Sequence, residues 1–136
     1  MRAIILAAGE GRRMAFDGVP MPKVMLSFGG KTLLRRHIEI LRHCGVDEIV
    51  VAVGFRRELI DRELAAIGVA DSVETIFNPD FEEGSIVTLW SVRDPLARRG
   101  DVVRLDADVP DDHRMMDRLL AAVHRHCAPH DRGVRL

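Results

Sequence analysis

The sequence has few of the residues on which several large classes of protein depend. It contains no tyrosine, and aromatic residues make up only 4% of its 136 residues, so stacking platforms for single-stranded nucleic acid are scarce. The net charge of −1 argues against a general nucleic-acid or membrane surface and confines any anion binding to a local site. The two cysteines, Cys44 and Cys127, lie far apart without a C-x-x-C spacing, which is typical of thiols in a reducing cytoplasm.

Long apolar runs are also missing. No run approaches the roughly 18 residues that a membrane span needs, and the run at 4–8 is too short for the apolar region of a signal peptide. We therefore expect a cytoplasmic protein that contacts neither membrane nor nucleic acid. The length favours one domain, which we place at 1–127, followed by an irregular tail at 128–136.

Short apolar runs alternate with helical patterns along the chain. Strands are expected at 2–8, 24–28, 48–53, 72–77 and 102–105, and helices between a Thr32 cap and Gly45, at 57–67, at 85–97 and at 112–126. Alternation of this kind predicts a Rossmann-like, three-layer α/β/α fold with a mostly parallel sheet. Ligands bind such sheets beyond the carboxyl ends of the strands, where this chain places a glycine-rich loop, Asn78 and an Asp106–Asp108 pair.

The glycine-rich loop after the first strand carries positive charge. Gly9 and Gly11 remove side chains where backbone N–H groups would approach phosphate oxygens, and Arg12, Arg13 and Lys23 add cations that can bind phosphate. An ordinary strand-to-helix turn is the alternative, but it requires neither the arginines nor the lysine. The pattern therefore indicates a phosphate-binding loop.

Two widespread phosphate-binding motifs do not fit this loop. The dinucleotide fingerprint G-x-G-x-x-G needs a glycine where Met14 stands. Gly30-Lys31-Thr32 looks like the end of a Walker A loop, but the first glycine of that motif would fall at Met25. A turn followed by a helix cap is the simpler interpretation of Gly30–Thr32.

The run Leu6-Ala-Ala-Gly9-x-Gly11-x-Arg13-Met14, followed by Pro22-Lys23, resembles the signature of the NDP-sugar pyrophosphorylase-like nucleotidyltransferases, which include the MobA-like NTP transferases. The resemblance implies that the loop wraps a nucleoside triphosphate and that Arg13 and Lys23 contact its phosphates as the catalytic cations. The NTP-binding residues implied in this loop are Leu6, Ala7, Ala8, Gly9, Gly11, Arg12, Arg13, Met14 and Lys23.

A second segment, Asn78-Pro-Asp-Phe81-Glu-Glu-Gly84-Ser85-Ile-Val-Thr88, resembles the cytidylyltransferase-like branch of that family, whose members activate phosphocholine and similar compounds. The resemblance implies that Gly84 and Ser85 lie near the base or ribose. This chain has Ser85 where the branch commonly has Asn and Thr88 where it has Ser, so the base stays open, with CTP or UTP favoured. The alternative interpretation makes Ser85 a helix N-cap.

The third segment is the pair of carboxylates at the end of the strand expected at 102–105. Asp106 and Asp108 can offer oxygens to a hard cation such as Mg²⁺. In the family that the chain resembles, the corresponding strand ends in an Asp that binds Mg²⁺, which implies this role for Asp108, with Asp106 beside it. A solvated turn is the alternative.

The expected activity is Mg²⁺-dependent transfer of a nucleotidyl group from an NTP to a small phosphorylated acceptor, with release of pyrophosphate. The resemblance covers about residues 1–126 and only the first half of the family fold. A catalytically incomplete NTP–Mg²⁺ binding module, or a truncated remnant of such an enzyme, is therefore the alternative. An incomplete sheet also leaves an open edge, which favours a homo-oligomer.

Three further residues carry weaker expectations. Trp90 is expected in the core, with contact to a quaternary ammonium ligand as the alternative. Arg56 is expected to be solvated or to lie at a helix end. Arg104 interrupts a strand that should be apolar if both faces of the sheet are covered.

Overall fold

A computed structural model describes residues 1–11 and 19–106, together with Arg114, Arg118 and Ala121. The strands are β1 (Arg2–Ala7), β2 (Ser27–Phe28), β3 (Lys31–Thr32), β4 (Glu48–Val53), β5 (Val73–Phe77) and β6 (Val102–Asp106). The α-helices are α1 (Leu33–His43), α2 (Arg57–Ala66), α3 (Ser85–Ser91) and α4 (Arg93–Ala97). The alternation of strands and helices that the sequence predicts is therefore present.

Four strands form a parallel sheet in the order β5-β4-β1-β6. The chain moves outward from β1 through β4 to β5 and then returns to place β6 on the free side of β1. All four carboxyl ends consequently share one edge of the sheet. The strand order reverses between β1 and β6, and this is where ligands bind in open α/β sheets.

The sheet is covered on both faces, but one core is larger than the other. On the first face, alternate residues such as Ile5 pack against Leu34 of α1 and Ile60 of α2. On the second face, Ile4 packs in a smaller cluster with Val92. Each such side chain contributes about 1.5–3 kcal/mol when it is fully buried. Because β1 is buried on both faces, its apolar residues are consecutive rather than alternating.

Helix α1 has the caps that the sequence predicts. The Thr32 hydroxyl accepts a hydrogen bond from the backbone N–H of Arg35 at 3.1 Å, which satisfies one of the free donors at the helix start. Gly45 follows the helix with φ of 76°, a left-handed conformation that glycine adopts readily.

The predicted helix at 85–97 is wrong in one respect, because the structure divides it into α3 and α4. The break lies at Val92, whose φ and ψ are −100° and 17°. Pro95 explains the break, since it lacks an N–H and its ring would clash with the carbonyl of residue 91 in a continuous helix. In the structure Pro95 instead falls in the first turn of α4, where proline is tolerated.

The predicted strand at 24–28 is also only partly correct. Lys23–Met25 forms a 3-10 turn, and only Ser27–Phe28 is a strand, paired antiparallel with β3. Gly29 and Gly30 connect β2 to β3 with φ of 56° and 75°, the conformation of a tight two-residue hairpin turn. Of the helix predicted at 112–126, Arg114, Arg118 and Ala121 are described and are helical. The rest of that helix and the tail at 128–136 lie outside the described residues.

Two side chains differ from their expected burial. The side chain of Trp90 is 68% exposed, so its expected core position is wrong, and the Arg93 guanidinium lies 5.2 Å from its ring centroid. Arg104 is exposed on β6, whose neighbours Val103 and Leu105 are buried. Because β6 is the edge strand of the described sheet and Arg104 lies on the opposite face from Val103 and Leu105, its side chain reaches solvent and is 53% exposed.

Charged residues join the strands at the amino edge of the sheet. The guanidinium of Arg2 contacts Glu48 at 2.6 Å and donates to the Pro95 carbonyl at 2.7 Å. Arg98 bridges Glu48 and Glu74, each at 3.0 Å. Hydrogen bonding from Arg2, and secondarily from Arg98, lowers the pKa of Glu48 below its ordinary value. This network ties α4 to β1, β4 and β5, on the side opposite the predicted site.

None of the helices in the described part of the chain is long and apolar enough to cross a bilayer.

Candidate active site

The glycine-rich loop follows β1 and therefore begins at the point where the strand order reverses. Leu6, Ala7 and Ala8 are buried, and the Ala8 carbonyl accepts a hydrogen bond from the backbone N–H of Phe55 at 3.0 Å. This bond anchors the start of the loop to the end of β4. Gly9 is the first exposed residue after the strand.

Gly9 is a glycine that the described fold does not require. A methyl group placed on its Cα would meet no described atom within 4 Å, and Gly9 is not among the residues with positive φ. Among the described residues, neither packing nor backbone strain therefore explains the missing side chain. Glycine is also found where a ligand approaches the backbone closely.

Gly11 is a glycine for structural reasons. Its φ is 60°, and an added methyl group would lie 2.8 Å from the Met21 carbonyl oxygen and 3.1 Å from Cγ of Lys23. The far limb of the loop thus returns against Gly11. The structure brings Lys23, one of the predicted phosphate-binding cations, beside the glycine turn.

Lys23 is held there by its local structure. It begins a 3-10 turn in which the N–H of Met25 donates to the Pro22 carbonyl at 2.9 Å and that of Leu26 donates to the Lys23 carbonyl at 3.0 Å. Val24, in the middle of the turn, is fully buried. The turn is therefore fixed in the core, which sets where the Lys23 side chain begins.

Three predicted residues of the loop, Arg12, Arg13 and Met14, lie outside the described residues, as does Asp108. Their assignments stay predictions. The described part of the loop nevertheless joins Gly9, Gly11 and Lys23 in one local unit.

Asp106 lies across from the loop on the neighbouring strand. It is the last residue of β6 and pairs in register with Leu6 of β1. Its side chain is 48% exposed, and its Oδ2 lies 3.4 Å from Nη2 of Arg104. One carboxylate at the reversal point is therefore accessible.

The described residues contain no group of three His, Cys, Asp or Glu side chains that would by itself hold a metal ion. Mg²⁺ commonly binds through one or two carboxylates, with water and substrate phosphates completing its coordination. A half-exposed Asp106 beside the loop fits that mode, although the nearby Arg104 opposes a cation. Asp106 therefore stays a candidate ligand.

The segment at 78–84 reaches the same edge from β5. A methyl group on Gly54 would lie 2.6 Å from Cβ of Phe81 and 2.8 Å from the Ala8 carbonyl oxygen. Phe81 also packs against Phe55, with ring centroids 6.1 Å apart. Because Gly54 follows β4 and Ala8 follows β1, these contacts join the ends of β1 and β4 to the segment that follows β5.

Gly84 and Ser85 begin α3 at the end of this segment. Gly84 has φ of 102° and ψ of −178°, a conformation nearly exclusive to glycine. Gly84, not Ser85, is the N-cap, and no side chain caps the helix. The interpretation of Ser85 as a cap is therefore wrong, and its exposed side chain has no capping role.

Arg56 lies at a helix end, as the sequence predicted, because it is the N-cap of α2, but its contact with the glycine loop was not predicted. It is the only non-glycine residue with positive φ, 46°, in the described part of the chain. Its Nη1 donates to the Pro20 carbonyl at 3.2 Å, so it ties the far limb of the glycine loop to the end of β4. No sequence pattern predicts a left-handed arginine. Gly54, two residues earlier, was the one sign in the sequence of an irregular turn.

The cleft at the amino edge of β4 and β5 has the wrong charge for a triphosphate. Its lining includes Asp47, Glu48, Asp71 and Glu74. The carboxyl edge, with Lys23 and the glycine loop, is the better anion site.

Comparison with known proteins identifies the family to which the chain belongs. The family model described as the MobA-like NTP transferase domain matches residues 3–135. The chain is 36% identical over 126 residues to CMP-5'-(3-aminopropyl)phosphonate synthase of Streptomyces rubellomurinus, covering 90% of this chain and 19% of that protein. It is 32% identical over 127 residues to mannose-1-phosphate guanyltransferase of Schizosaccharomyces pombe, covering 92% of this chain and 34% of that protein.

A solved structure shares both the fold and part of the sequence. CTP:phosphocholine cytidylyltransferase from Streptococcus pneumoniae superposes with a TM-score of 0.67 at 30% identity, over 79% of this chain and 44% of that chain. The chain thus spans less than half the length of each of these three proteins. Its sequence and its fold together show that the chain belongs to the family of MobA-like NTP transferase domains.

Proposed function

We propose that this chain forms the NTP-binding part of a nucleotidyltransferase, which transfers a nucleotidyl group from an NTP to a small phosphorylated acceptor and releases pyrophosphate. The observation that carries the proposal is Gly9. It is an exposed glycine at the reversal point of the sheet, and no described packing or backbone requirement explains it. A triphosphate against the backbone of the loop does explain it.

The loop residues would bind the triphosphate by backbone approach and by charge. Gly9 and Gly11 leave the backbone open, and Lys23 is placed beside Gly11. Arg13 joins Lys23 as the second cation by the family pattern. The binding energy of this cradle would hold the α-phosphorus in place for attack.

The transfer itself is a single in-line displacement. A phosphate oxygen of the acceptor forms a bond to the α-phosphorus of the NTP, and the bond from that phosphorus to the α,β-bridging oxygen breaks. The electron pair leaves with pyrophosphate. The attacking phosphate is already ionised, so no side chain has to remove a proton, and catalysis rests on positioning and on neutralising charge.

Asp106, with Asp108 beyond it in sequence, would hold Mg²⁺ in this proposal. Mg²⁺ held by these carboxylates would supply positive charge to offset the charge of the phosphate oxygens. The position of Asp106 opposite Leu6 supports this assignment, since it places a carboxylate beside the strand that carries the loop.

The names of the relatives narrow the choice of acceptor and of nucleotide base. One is named for a mannose 1-phosphate substrate, one for a phosphonate and one for phosphocholine, so we propose a sugar 1-phosphate or a phosphocholine-like compound. Two of the three names specify CMP or CTP, which favours a pyrimidine base, CTP before UTP. We place the reaction in the cytoplasm, where nucleoside triphosphates are available.

A second candidate is a catalytically incomplete module that binds NTP and Mg²⁺ without turnover. The chain spans 44% of the solved cytidylyltransferase, so turnover by the chain alone has to be measured and not assumed. The two candidates share the loop but differ in whether pyrophosphate is released.

The experiment substitutes Lys23→Ala and measures both NTP binding and pyrophosphate release, with each NTP and with phosphocholine or mannose 1-phosphate as acceptor. Lys31→Ala is the matched control, because Lys31 is a half-exposed lysine that pairs with Glu39. We expect Lys23→Ala to reduce release by about a hundredfold or more and Lys31→Ala to leave it unchanged.

The readouts separate the two candidates. Binding by the wild type without release supports the incomplete module. Turnover that is unaffected by Lys23→Ala contradicts the proposed role of the loop, and a wild type that binds no NTP contradicts both candidates.

A further inference from the structure

Two polar side chains are buried together beneath the segment at 78–84. Asn78 is 1% exposed and Thr88 is 4% exposed, and Nδ2 of Asn78 donates to Oγ1 of Thr88 at 3.1 Å. Burying polar groups costs free energy unless they are hydrogen-bonded. The hydrogen bond between Asn78 and Thr88 therefore offsets the cost of burying both side chains.

Asn78 fixes the exit from β5. Its backbone N–H donates to the Val53 carbonyl at 2.8 Å, which extends the pairing with β4 by one residue. Its Oδ1 accepts from the backbone N–H of Asp80 at 3.0 Å, which turns the chain away from the sheet. One side chain thus sets both the turn and, through Nδ2, the contact with α3.

Thr88 fixes the start of α3. Its hydroxyl donates to the Gly84 carbonyl at 3.3 Å while accepting from Asn78. The exit of β5 and the residues Gly84 and Ser85 are therefore joined through two adjacent hydrogen bonds. Phe81 anchors the middle of the segment separately, against Gly54.

We propose that Asn78 and Thr88 are positioning residues that hold Gly84 and Ser85 at the nucleoside end of the bound NTP. The inference rests on the proposed function, because it needs an NTP whose phosphates occupy the glycine loop. The hydrogen bonds of the pair reach Asp80 and Gly84, within the segment that leads to Ser85. Loss of the pair should weaken recognition of the nucleoside and leave recognition of the phosphates intact.

The test compares two probes, CTP and inorganic tripolyphosphate, each with Mg²⁺, by calorimetric titration of the full chain. Tripolyphosphate engages the phosphate site alone, whereas CTP also engages the nucleoside site. Thr88→Val removes the hydroxyl with little change in shape, Thr88→Ser keeps it, and Thr75→Val is the matched control because Thr75 is exposed on β5.

We expect Thr88→Val to weaken CTP about tenfold and to leave tripolyphosphate within about twofold of the wild type. Thr88→Ser should restore CTP binding, and Thr75→Val should match the wild type. Equal loss of both probes indicates a merely structural role and overturns the inference, as does unchanged CTP binding by Thr88→Val.

A second variant covers the case in which Thr88→Val does not fold. In Asn78→Leu/Thr88→Val both buried side chains are apolar, so neither leaves the other's polar group without a hydrogen bond; the backbone N–H of Asp80 loses its Asn78 acceptor, but Asp80 is exposed. The same selective loss of CTP is expected there, and equal CTP affinity in this variant and the wild type overturns the inference. If the wild type binds neither probe, the proposed function itself fails.

Discussion

Gly9 and Gly11 belong to one loop but differ in the structural constraints that act on them. Gly11 is required by its left-handed backbone and by the contact with Met21 and Lys23, whereas Gly9 has neither constraint among the described residues. The sequence presents both as the same residue in the same motif. Only the structure separates the glycine that the loop conformation requires from the glycine that no described contact requires.

Arg56 supports a prediction at the same scale. Substituting Arg56→Gly or Arg56→Ala removes the same hydrogen bond to Pro20, but only alanine keeps the cost of a left-handed backbone, about 1–2 kcal/mol. We expect Arg56→Ala to be less stable than Arg56→Gly by about that amount in urea unfolding. Equal stability of the two variants, or a more stable alanine variant, would contradict the strained conformation of residue 56.

The candidate site was predictable from the sequence where residues act through their type and spacing. Gly9 and Gly11 follow the end of β1 and Asp106 ends β6, and parallel pairing brings those ends to one edge. Lys23 lies beside Gly11 because the loop returns against it. Arg56 and the Asn78–Thr88 pair were not assigned these roles, because their roles depend on backbone conformation and burial. No local pattern encodes a left-handed arginine or the contact of an asparagine with a threonine ten residues later.

At the scale of elements, the spacing of apolar residues predicted which segments are strands and which are helices. Caps and prolines determined where those segments begin and end. The buried strands β1 and β4 and the capped helix α1 agree with the predictions. The break between α3 and α4 was also readable, since Pro95 cannot lie inside a continuous helix. The exposure of Trp90 could not be predicted from the sequence. The helical spacing of apolar residues does not show how many of them the rest of the fold covers.

The end of β4 packs closely against the turn at Phe81–Glu83, with no room for a side chain at Gly54. Gly54→Ala would bring Cβ within 2.6 Å of Cβ of Phe81 and 2.8 Å of the Ala8 carbonyl oxygen, and neither atom can move without moving its backbone. We expect a loss of about 1–3 kcal/mol in the free energy of unfolding. The measurement is urea unfolding, and a change below about 0.5 kcal/mol would show that this junction is looser than the structure describes.

At the scale of the whole molecule, the sheet separates a binding edge from a structural edge. The amino edge is held by Arg2, Glu48, Glu74 and Arg98, which tie three strands to α4. The carboxyl edge carries the loop, Asp106 and the segment at 78–84. The structural edge can therefore be altered without touching the proposed site.

The pH dependence of stability tests the amino edge. The folded state lowers the pKa of Glu48 below its ordinary value of 4.5, so the stabilisation is complete above pH 4.5 and is lost as the pH falls through the lowered pKa. Glu48→Gln should therefore be less stable than the wild type at about pH 6, with the difference shrinking towards about pH 3. Melting temperatures across this range provide the measurement, and a gap that stays constant with pH would rule out this titration.

The most direct test of the account is the substitution Gly9→Ala, followed by two measurements on the same protein. Unfolding in urea should show a stability unchanged or raised by up to about 1 kcal/mol, because the added methyl group meets no described atom. Titration with CTP and Mg²⁺ should show affinity reduced by about tenfold or more, because the methyl group would occupy the space that a phosphate needs. Wild-type affinity in a stably folded Gly9→Ala variant would contradict the claim that this loop is a triphosphate site.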